Sequence, residues 1–406
     1  MVALNKKGVG MNKTLLKASG NKGAFTHAEN APEVYYDLDI NDKDAVRRQI
    51  AREQFKKNYD ALRKRIKDPG WRRILDELAQ TPEGMQVLAN ITPNMKVEIS
   101  QNVDGAEASF DGMTNRLRLK QNNQNNRTGI GPHGVLLHEL NHSAQANRKQ
   151  SAVVQESASP KEAMISNYMV EADSVAQHSK IDILRDSFND FHPSAKKIER
   201  FMKEGPFFKG GEMERRLLKR VEMYRKDYEE ENIPFNRKEF IRQEKKRIMN
   251  TDEYKNVERF CKILKQTKGN LQKAKDAYGK EVFKEYISGK NANWAKISYL
   301  EQGMSHIKLL HEKGVLSKED KGMLNKIYAA IGKKYGMKPS EVAPLVNTLL
   351  KTHPEIGRAI RYGAENMHLS NDELIKGYDN MAKNNRNAFS AEMNRQAMQM
   401  EARAGR

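Results

Sequence analysis

The sequence is poor in cysteine, because Cys261 is the only one among 406 residues. A single thiol cannot form an intramolecular disulfide, so the chain is not a small scaffold held together by disulfides. A single cysteine also excludes a metal site built from a cysteine cluster. Any metal bound by this chain must therefore be held by histidines and carboxylates.

Long apolar runs are also absent. The chain has no stretch of the roughly 18 apolar residues that a helix needs to cross a bilayer. The first thirty residues hold five lysines and no acid before Glu29, without the apolar core of a cleaved signal peptide. We therefore expect synthesis in the cytoplasm without such a peptide. Residues 1–40 read as a flexible basic segment, although an uncleaved secretion signal has the same composition.

Acidic residues are too few to balance the basic ones. The chain has 72 Lys+Arg against 53 Asp+Glu, which gives a formal charge of +19. Basic stretches such as 215–220 could follow a phosphate backbone, but acids are interleaved and few aromatics stand beside them to stack on bases. We therefore expect solvated helix faces or a docking surface for an acidic partner or membrane, and we do not expect a nucleic acid.

The apolar residues, 38% of the chain, suffice for folded cores, and the length suggests two or three domains. Helical spacing predicts a helix over 41–66 that ends at a turn at 68–70, and Thr81-Pro82 suits a second helix start. Apolar and polar residues alternate over 97–99 and 117–119, which predicts a small antiparallel sheet. If the strand over 115–120 lies at the edge of that sheet, an extended acidic substrate could pair with it; alternatively, its charges protect the edge.

Two further helices follow the predicted sheet, over about 135–142 and 162–185. Strand signals nearly vanish after the breaks at 193–211. The pattern predicts an α+β domain over 41–192 and a basic, all-helical region over 212–406 that serves targeting or recognition.

Residues 138–142 read His-Glu-Leu-Asn-His, which is the HExxH pattern. His138 and His142 lie one turn apart on one helix face, so both imidazoles can bind one zinc ion at about 2.0–2.1 Å. Glu139 projects to the side, where it can take a proton from zinc-bound water as that water attacks a carbonyl carbon. The motif predicts a Zn²⁺ site with Glu139 as the catalytic base. A structural histidine pair on an amphipathic helix is the alternative.

A catalytic zinc site needs a third protein ligand and an open fourth position. Gln145 and Arg148 stand where the extended pattern HExxHxxGxxH requires glycine and histidine, so the metzincin pattern is excluded. On the next helix, Glu171 lies on an apolar stripe, where a carboxylate is costly unless it is paired or bound to metal. We expect Glu171 to be the third ligand; pairing with a lysine is its alternative. The stripe consists of Met164, Tyr168, Ala172 and Val175.

Other polar residues near the motif are weaker candidates. Asp173 projects about 200° from Glu171 on the same helix, so we expect it to hydrogen-bond a ligand residue or to be solvated. His178 follows Glu171 by two turns and could support the site. We expect both His178 and His133 to be ordinary surface histidines instead.

The motif and its flanks resemble zinc peptidases of the gluzincin kind. More narrowly, residues 81–84, 115–119 and 136–143 resemble the zinc metalloprotease effectors that bacteria inject into host cells. This resemblance covers about residues 75–185 and implies a zincin-like fold for the α+β domain, a zinc cofactor and a host protein as substrate. The sequence departs from the common gluzincin form at Val175, where an aspartate often follows the ligand glutamate by four.

We therefore predict a zinc endopeptidase, secreted into a host cell if the resemblance extends to its export. The alternative is a non-enzymatic basic helical protein in which the HExxH pattern is fortuitous. The sequence does not indicate an oligomeric state.

Overall fold

A computed structural model describes residues 38–404 apart from 102, 104–106, 113, 122–130, 148–156 and 291–292. Nearly all of the predicted basic segment over residues 1–40 lies outside these ranges. The described chain is mostly helical with one small sheet, which is compatible with the predicted α+β fold.

Three helices open the described chain: α1 (Ala45–Arg65), α2 (Pro69–Leu78) and α3 (Pro82–Asn90). The predicted start at Thr81 is confirmed, since its side chain accepts a hydrogen bond from the Gly84 backbone N–H. The predicted turn at 68–70 is wrong, because Asp68 caps α2 and Pro69 occupies its first position. Aspartate and proline suit both a turn and a helix start, and the burial of Trp71 favours the helix.

The sheet has three strands: β1 (Lys96–Ser100), β2 (Ala108–Asp111) and β3 (Arg116–Lys120). Their order is β1-β3-β2, with β2 antiparallel and β1 parallel to β3. The predicted antiparallel sheet is therefore wrong for one of its two pairings. Alternation of apolar residues identifies strands but does not fix the direction in which they pair.

The condition that the strand over 115–120 lies at the edge of the sheet is not met, because β3 is the central strand. It pairs with β1 on one side and with β2 on the other, so an extended substrate cannot add to it. Arg116 on β3 instead donates to Glu98 on β1 at 2.9 Å.

Two helices carry the residues of the HExxH region: α4 (Pro132–Asn147) and α5 (Pro160–Phe188). Ser159 and Glu162 form a capping box at the start of α5, and Pro160 takes its first position. This explains why α5 begins two residues before the predicted helix over 162–185.

Ten helices and a short 3₁₀ turn at Lys333–Tyr335 make up the rest of the described chain. The helices are α6 (Ala195–Glu204), α7 (Glu212–Glu230), α8 (Arg237–Met249), α9 (Asp252–Gln266), α10 (Leu271–Ile287), α11 (Asn293–Glu312), α12 (Lys321–Gly332), α13 (Pro339–Thr352), α14 (Pro354–Glu365) and α15 (Asn371–Ala404). Within the described ranges, no helix combines the length and the apolar character that spanning a membrane requires.

Helix α5 contributes to each of the three largest apolar clusters. Ile181 packs into the cluster of α1–α4 and the sheet, Met164 into that of α10–α15, and Phe188 into that of α6–α10. Helix α5 belongs to the predicted domain over 41–192 but also packs against helices of the region over 212–406. The division into these two ranges stays a prediction.

Candidate metal centre

Helix α4 presents His138 and His142 on one face because they are four residues apart. The other faces are fixed by burial of Leu136, Leu137 and Leu140, each at most 1% exposed. The imidazole rings meet edge to face, with 3.0 Å between their Nε2 atoms.

Helix α5 brings Glu171 to the same point. Its Oε2 lies 3.3 Å from Nε2 of His138, and its Oε1 lies 3.2 Å from Nε2 of His142. The three side chains are thus close enough together to bind one metal ion. The alternative that Glu171 pairs with a lysine is wrong, because its partners are the two histidines.

The geometry of this cluster fits a metal ion. In a tetrahedral site with bonds of about 2.0–2.1 Å, neighbouring ligand atoms lie roughly 3.3 Å apart. The distances observed here are 3.0–3.3 Å. The side chains of His138 and His142 are each 15% exposed, so solvent reaches part of both rings.

Charge holds this cluster together. Burial disfavours the ionised form of Glu171, but the two imidazoles outweigh it and keep the pKa of this carboxyl well below its usual range. Burial likewise opposes protonation of His142, whereas the Glu171 carboxylate raises the pKa of the imidazole to about 9. Only one proton fits between two nitrogens at 3.0 Å, while a single cation would satisfy both imidazoles and the carboxylate.

Gln145 orients His142, a role that the sequence analysis missed. Its Oε1 accepts from Nδ1 of His142 at 2.8 Å, which leaves Nε2 of that ring for a metal. Ser174 lies 3.3 Å from the same Nδ1. The sequence signal for this role is the polar residue at position 145, one turn after His142.

Asp173 in turn holds Gln145, accepting from its Nε2 at 2.7 Å. The expectation that Asp173 could be solvated is wrong, since the residue is 0% exposed. It reaches His142 through Gln145 and, by a longer route, through Asn141 and Ser174. Burial would raise the pKa of Asp173, but the Lys334 ammonium outweighs it and holds that pKa well below its usual range.

His178 supports His138. Its Nδ1 lies 3.0 Å from Nδ1 of His138, and its Nε2 lies 4.0 Å from Oδ2 of Asp182. The expectation of a surface histidine is therefore wrong, as His178 is only 6% exposed. Burial and the neighbouring His138 keep the pKa of His178 well below its ordinary value. The His178 ring is therefore neutral, and its Nδ1 can accept a hydrogen bond from Nδ1 of His138. The residue was misjudged because its exposure depends on how α4 covers α5.

Glu139 is anchored by the sheet. The Phe110 backbone N–H on β2 donates to its Oε2 at 2.7 Å. Burial raises the pKa of Glu139, against the opposing influence of the two imidazoles. The second carboxylate oxygen, Oε1, does not take part in this hydrogen bond and is the one that can accept a proton.

His133, by contrast, lies apart from the cluster. Its Nε2 is 2.6 Å from Oε2 of Glu77, and its ring packs against Phe191. The structure gives it no role at the metal centre.

Comparisons of the chain with protein-family models, with curated proteins and with solved structures give no match. The site is thus characterised by its own geometry. Two imidazoles and a carboxylate converge at distances suited to one metal ion, next to a carboxylate held by the sheet edge.

Proposed function

We propose that this chain is a zinc-dependent endopeptidase in which His138, His142 and Glu171 hold the metal and Glu139 is the general base. The observation that carries the proposal is the convergence of the three ligand side chains on one point. A helix with an HExxH pattern provides two of them and the base, and α5 provides the third.

The donor set favours zinc over magnesium and calcium. Two imidazole nitrogens and one carboxylate with an open position are typical of catalytic zinc, whereas magnesium and calcium prefer sites made of oxygen alone. When bound, zinc acts as a Lewis acid that activates water at neutral pH and polarises a carbonyl group.

Glu139 would move the proton of the attacking water. The Phe110 backbone N–H donates to Oε2 of Glu139, so Oε1 is the oxygen that accepts the proton. Glu139 can then pass this proton to the nitrogen of the departing amine. Anchoring by a backbone N–H keeps the carboxylate in one orientation. A general base gains from such preorganisation, since its reach to the reacting atoms is then fixed before substrate binds.

The position of β2 supports a polypeptide substrate. Among the described strands β2 pairs only with β3, so its other side is an edge, and Phe110 places this edge next to Glu139. An extended peptide can add to such an edge through main-chain groups other than the Phe110 N–H, which donates to Glu139. On the resemblance to injected zinc metalloproteases, we extend the proposal to a secreted effector with a host protein as its substrate.

The decisive test is the Glu139→Gln variant. It should retain zinc while hydrolysis of a peptide library falls by at least the roughly 10²–10⁴-fold typical of a general base. Glu98→Gln is the matched control, because Glu98 is a glutamate on β1 that pairs with Arg116 outside the cluster. Equal hydrolysis by both variants would remove Glu139 from the mechanism. A wild-type chain that neither binds zinc nor cleaves any peptide would favour the non-enzymatic alternative.

A further inference from the structure

Asp173 lies where the metal centre meets the C-terminal helices. Its Oδ2 accepts hydrogen bonds from α4, from Gln145 at 2.7 Å and from Asn141 at 2.9 Å. Its Oδ1 accepts from the 3₁₀ turn, from the Tyr335 hydroxyl at 2.6 Å and from the Lys334 ammonium at 2.8 Å. One buried carboxylate thus connects the two parts of the molecule.

The Tyr335 hydroxyl is itself held by the C-terminal core. Its ring stacks on Phe283 of α10, with 4.2 Å between ring centroids and planes 11° apart. Gln177 on α5 donates to the hydroxyl oxygen at 3.0 Å, so the hydroxyl hydrogen is directed to Asp173. The C-terminal core therefore helps to fix the position of the Asp173 carboxylate.

Two acceptors fix the orientation of the Gln145 amide, because its Nε2 donates to Oδ2 of Asp173 at 2.7 Å and to the Val170 carbonyl at 2.9 Å. A carboxylate accepts hydrogen bonds only, so it selects the NH₂ end of the amide and turns Oε1 toward His142. A reversed amide would present NH₂ to Nδ1 of His142. The ring proton would then sit on Nε2, and that nitrogen could not bind a metal.

We propose that Tyr335 and Lys334 are positioning residues of the metal centre, which act through Asp173 and Gln145 to fix the tautomer of His142. The inference rests on the proposed zinc site. It means that metal affinity depends on a turn 162 residues further along the chain than Asp173. The C-terminal helices then complete the metal centre as well as serving any partner.

The test compares Tyr335→Phe with Tyr59→Phe. Both tyrosines donate to an aspartate, Tyr335 at 2.6 Å and Tyr59 to Asp76 at 2.7 Å, but only Tyr335 connects to His142. Zinc affinity is measured by competition with a chromogenic chelator, and the site geometry by the absorption spectrum of the Co²⁺-substituted protein. Tyr335→Phe should bind zinc about 10–100-fold more weakly, which is the loss typical when a residue that supports a metal ligand through hydrogen bonds is replaced. It should also change the Co²⁺ spectrum. Tyr59→Phe should change neither.

A double-mutant cycle separates positioning from general destabilisation. Gln145→Leu interrupts the shorter of the two connections to His142, so adding Tyr335→Phe to it should cause a smaller further loss of zinc affinity than in the wild type. An equal loss from Tyr335→Phe in both backgrounds would overturn the inference. Lys334→Met is the second variant; it leaves the buried Asp173 carboxylate without its cation, so denaturation in urea must show that this variant stays folded under the assay conditions. Its zinc affinity should also fall.

The outcomes also distinguish this inference from the proposed function. A wild-type chain that binds zinc but cleaves no peptide would overturn the peptidase and leave the positioning residues in place. Zinc binding by Tyr335→Phe and Lys334→Met as tight as that of the wild type would overturn the positioning residues alone. A wild-type chain without zinc affinity would overturn both.

Discussion

His138 and His142 are held by different partners although the motif makes them equivalent. Nδ1 of His142 meets the amide oxygen of Gln145, whereas Nδ1 of His138 meets the neutral ring of His178. Both arrangements leave Nε2 facing Glu171. An aspartate four residues after Glu171, the position of Val175, is therefore not needed to orient either histidine.

His178 provides a prediction at the residue scale. Replacing it with Leu removes the acceptor of the His138 Nδ1–H and should weaken zinc binding by about 10–100-fold. His178→Asn should retain more affinity, since its side-chain oxygen can stand where Nδ1 accepts. Isothermal titration with zinc measures the effect.

His133→Leu serves as the control for that series, because His133 bonds to Glu77 outside the cluster. Affinity equal to the wild type in His178→Leu would show that His178 only fills space. The same loss in His178→Asn and His178→Leu would argue against a hydrogen-bonding role.

The sequence predicts the metal-binding residues far better than their supports. The spacing of His138 and His142, and the apolar stripe that carries Glu171, depend only on helical period. The roles of Gln145, Asp173 and His178 depend on which faces of α4 and α5 meet. That contact is tertiary, and one helix's period does not encode it.

At the scale of elements, Gly134 on α4 leaves room for the Asp182 carboxylate of α5. A Cβ built at this position would lie 2.5 Å from Oδ2 of Asp182, and burial has already raised the pKa of that carboxyl to about 7. Gly134→Ala should therefore displace the Asp182 carboxylate, which lies 4.0 Å from Nε2 of His178, and lower both the melting temperature and the zinc affinity. Differential scanning fluorimetry with and without zinc measures both effects.

Gly357→Ala is the control for that substitution, since a Cβ at this position on α14 meets nothing within 4 Å. Alanine should stabilise that helix by about 0.5–1 kcal/mol. A Gly134→Ala variant that melts at or above the wild-type temperature would contradict the role assigned to the glycine.

Helix positions were more predictable than sheet topology for a physical reason. Thr81 and Pro82 mark a helix start through local hydrogen bonds and a fixed φ. The parallel pairing of β1 with β3 places β2 on the far side of β3, and no local pattern near residues 96–120 specifies that order.

At the scale of the whole molecule, a buried ion pair joins the first helices to the C-terminal ones. Lys275 on α10 lies 2.9 Å from Glu83 on α3, and their side chains are 5% and 4% exposed. Lys275→Met leaves Glu83 buried without its cation, which should lower the free energy of unfolding by about 3–5 kcal/mol. Equilibrium denaturation in urea measures it.

The double variant Glu83→Leu/Lys275→Met should recover much of that loss, because neither buried charge remains. Lys262→Met is the control, as it removes an exposed pair with Glu258 worth less than about 1 kcal/mol. A Lys275→Met loss no larger than that of Lys262→Met would contradict a structural role for the buried pair.

The measurement that tests the metal centre most directly is the zinc content of the purified chain. Inductively coupled plasma mass spectrometry of the wild type should give one zinc per chain. This zinc should be lost on dialysis against a strong chelator. Glu171→Ala leaves only His138 and His142 as ligands, so its zinc content should fall far below one per chain while circular dichroism shows a folded protein. A wild type without zinc, or equal zinc in the wild type and Glu171→Ala, would contradict the account.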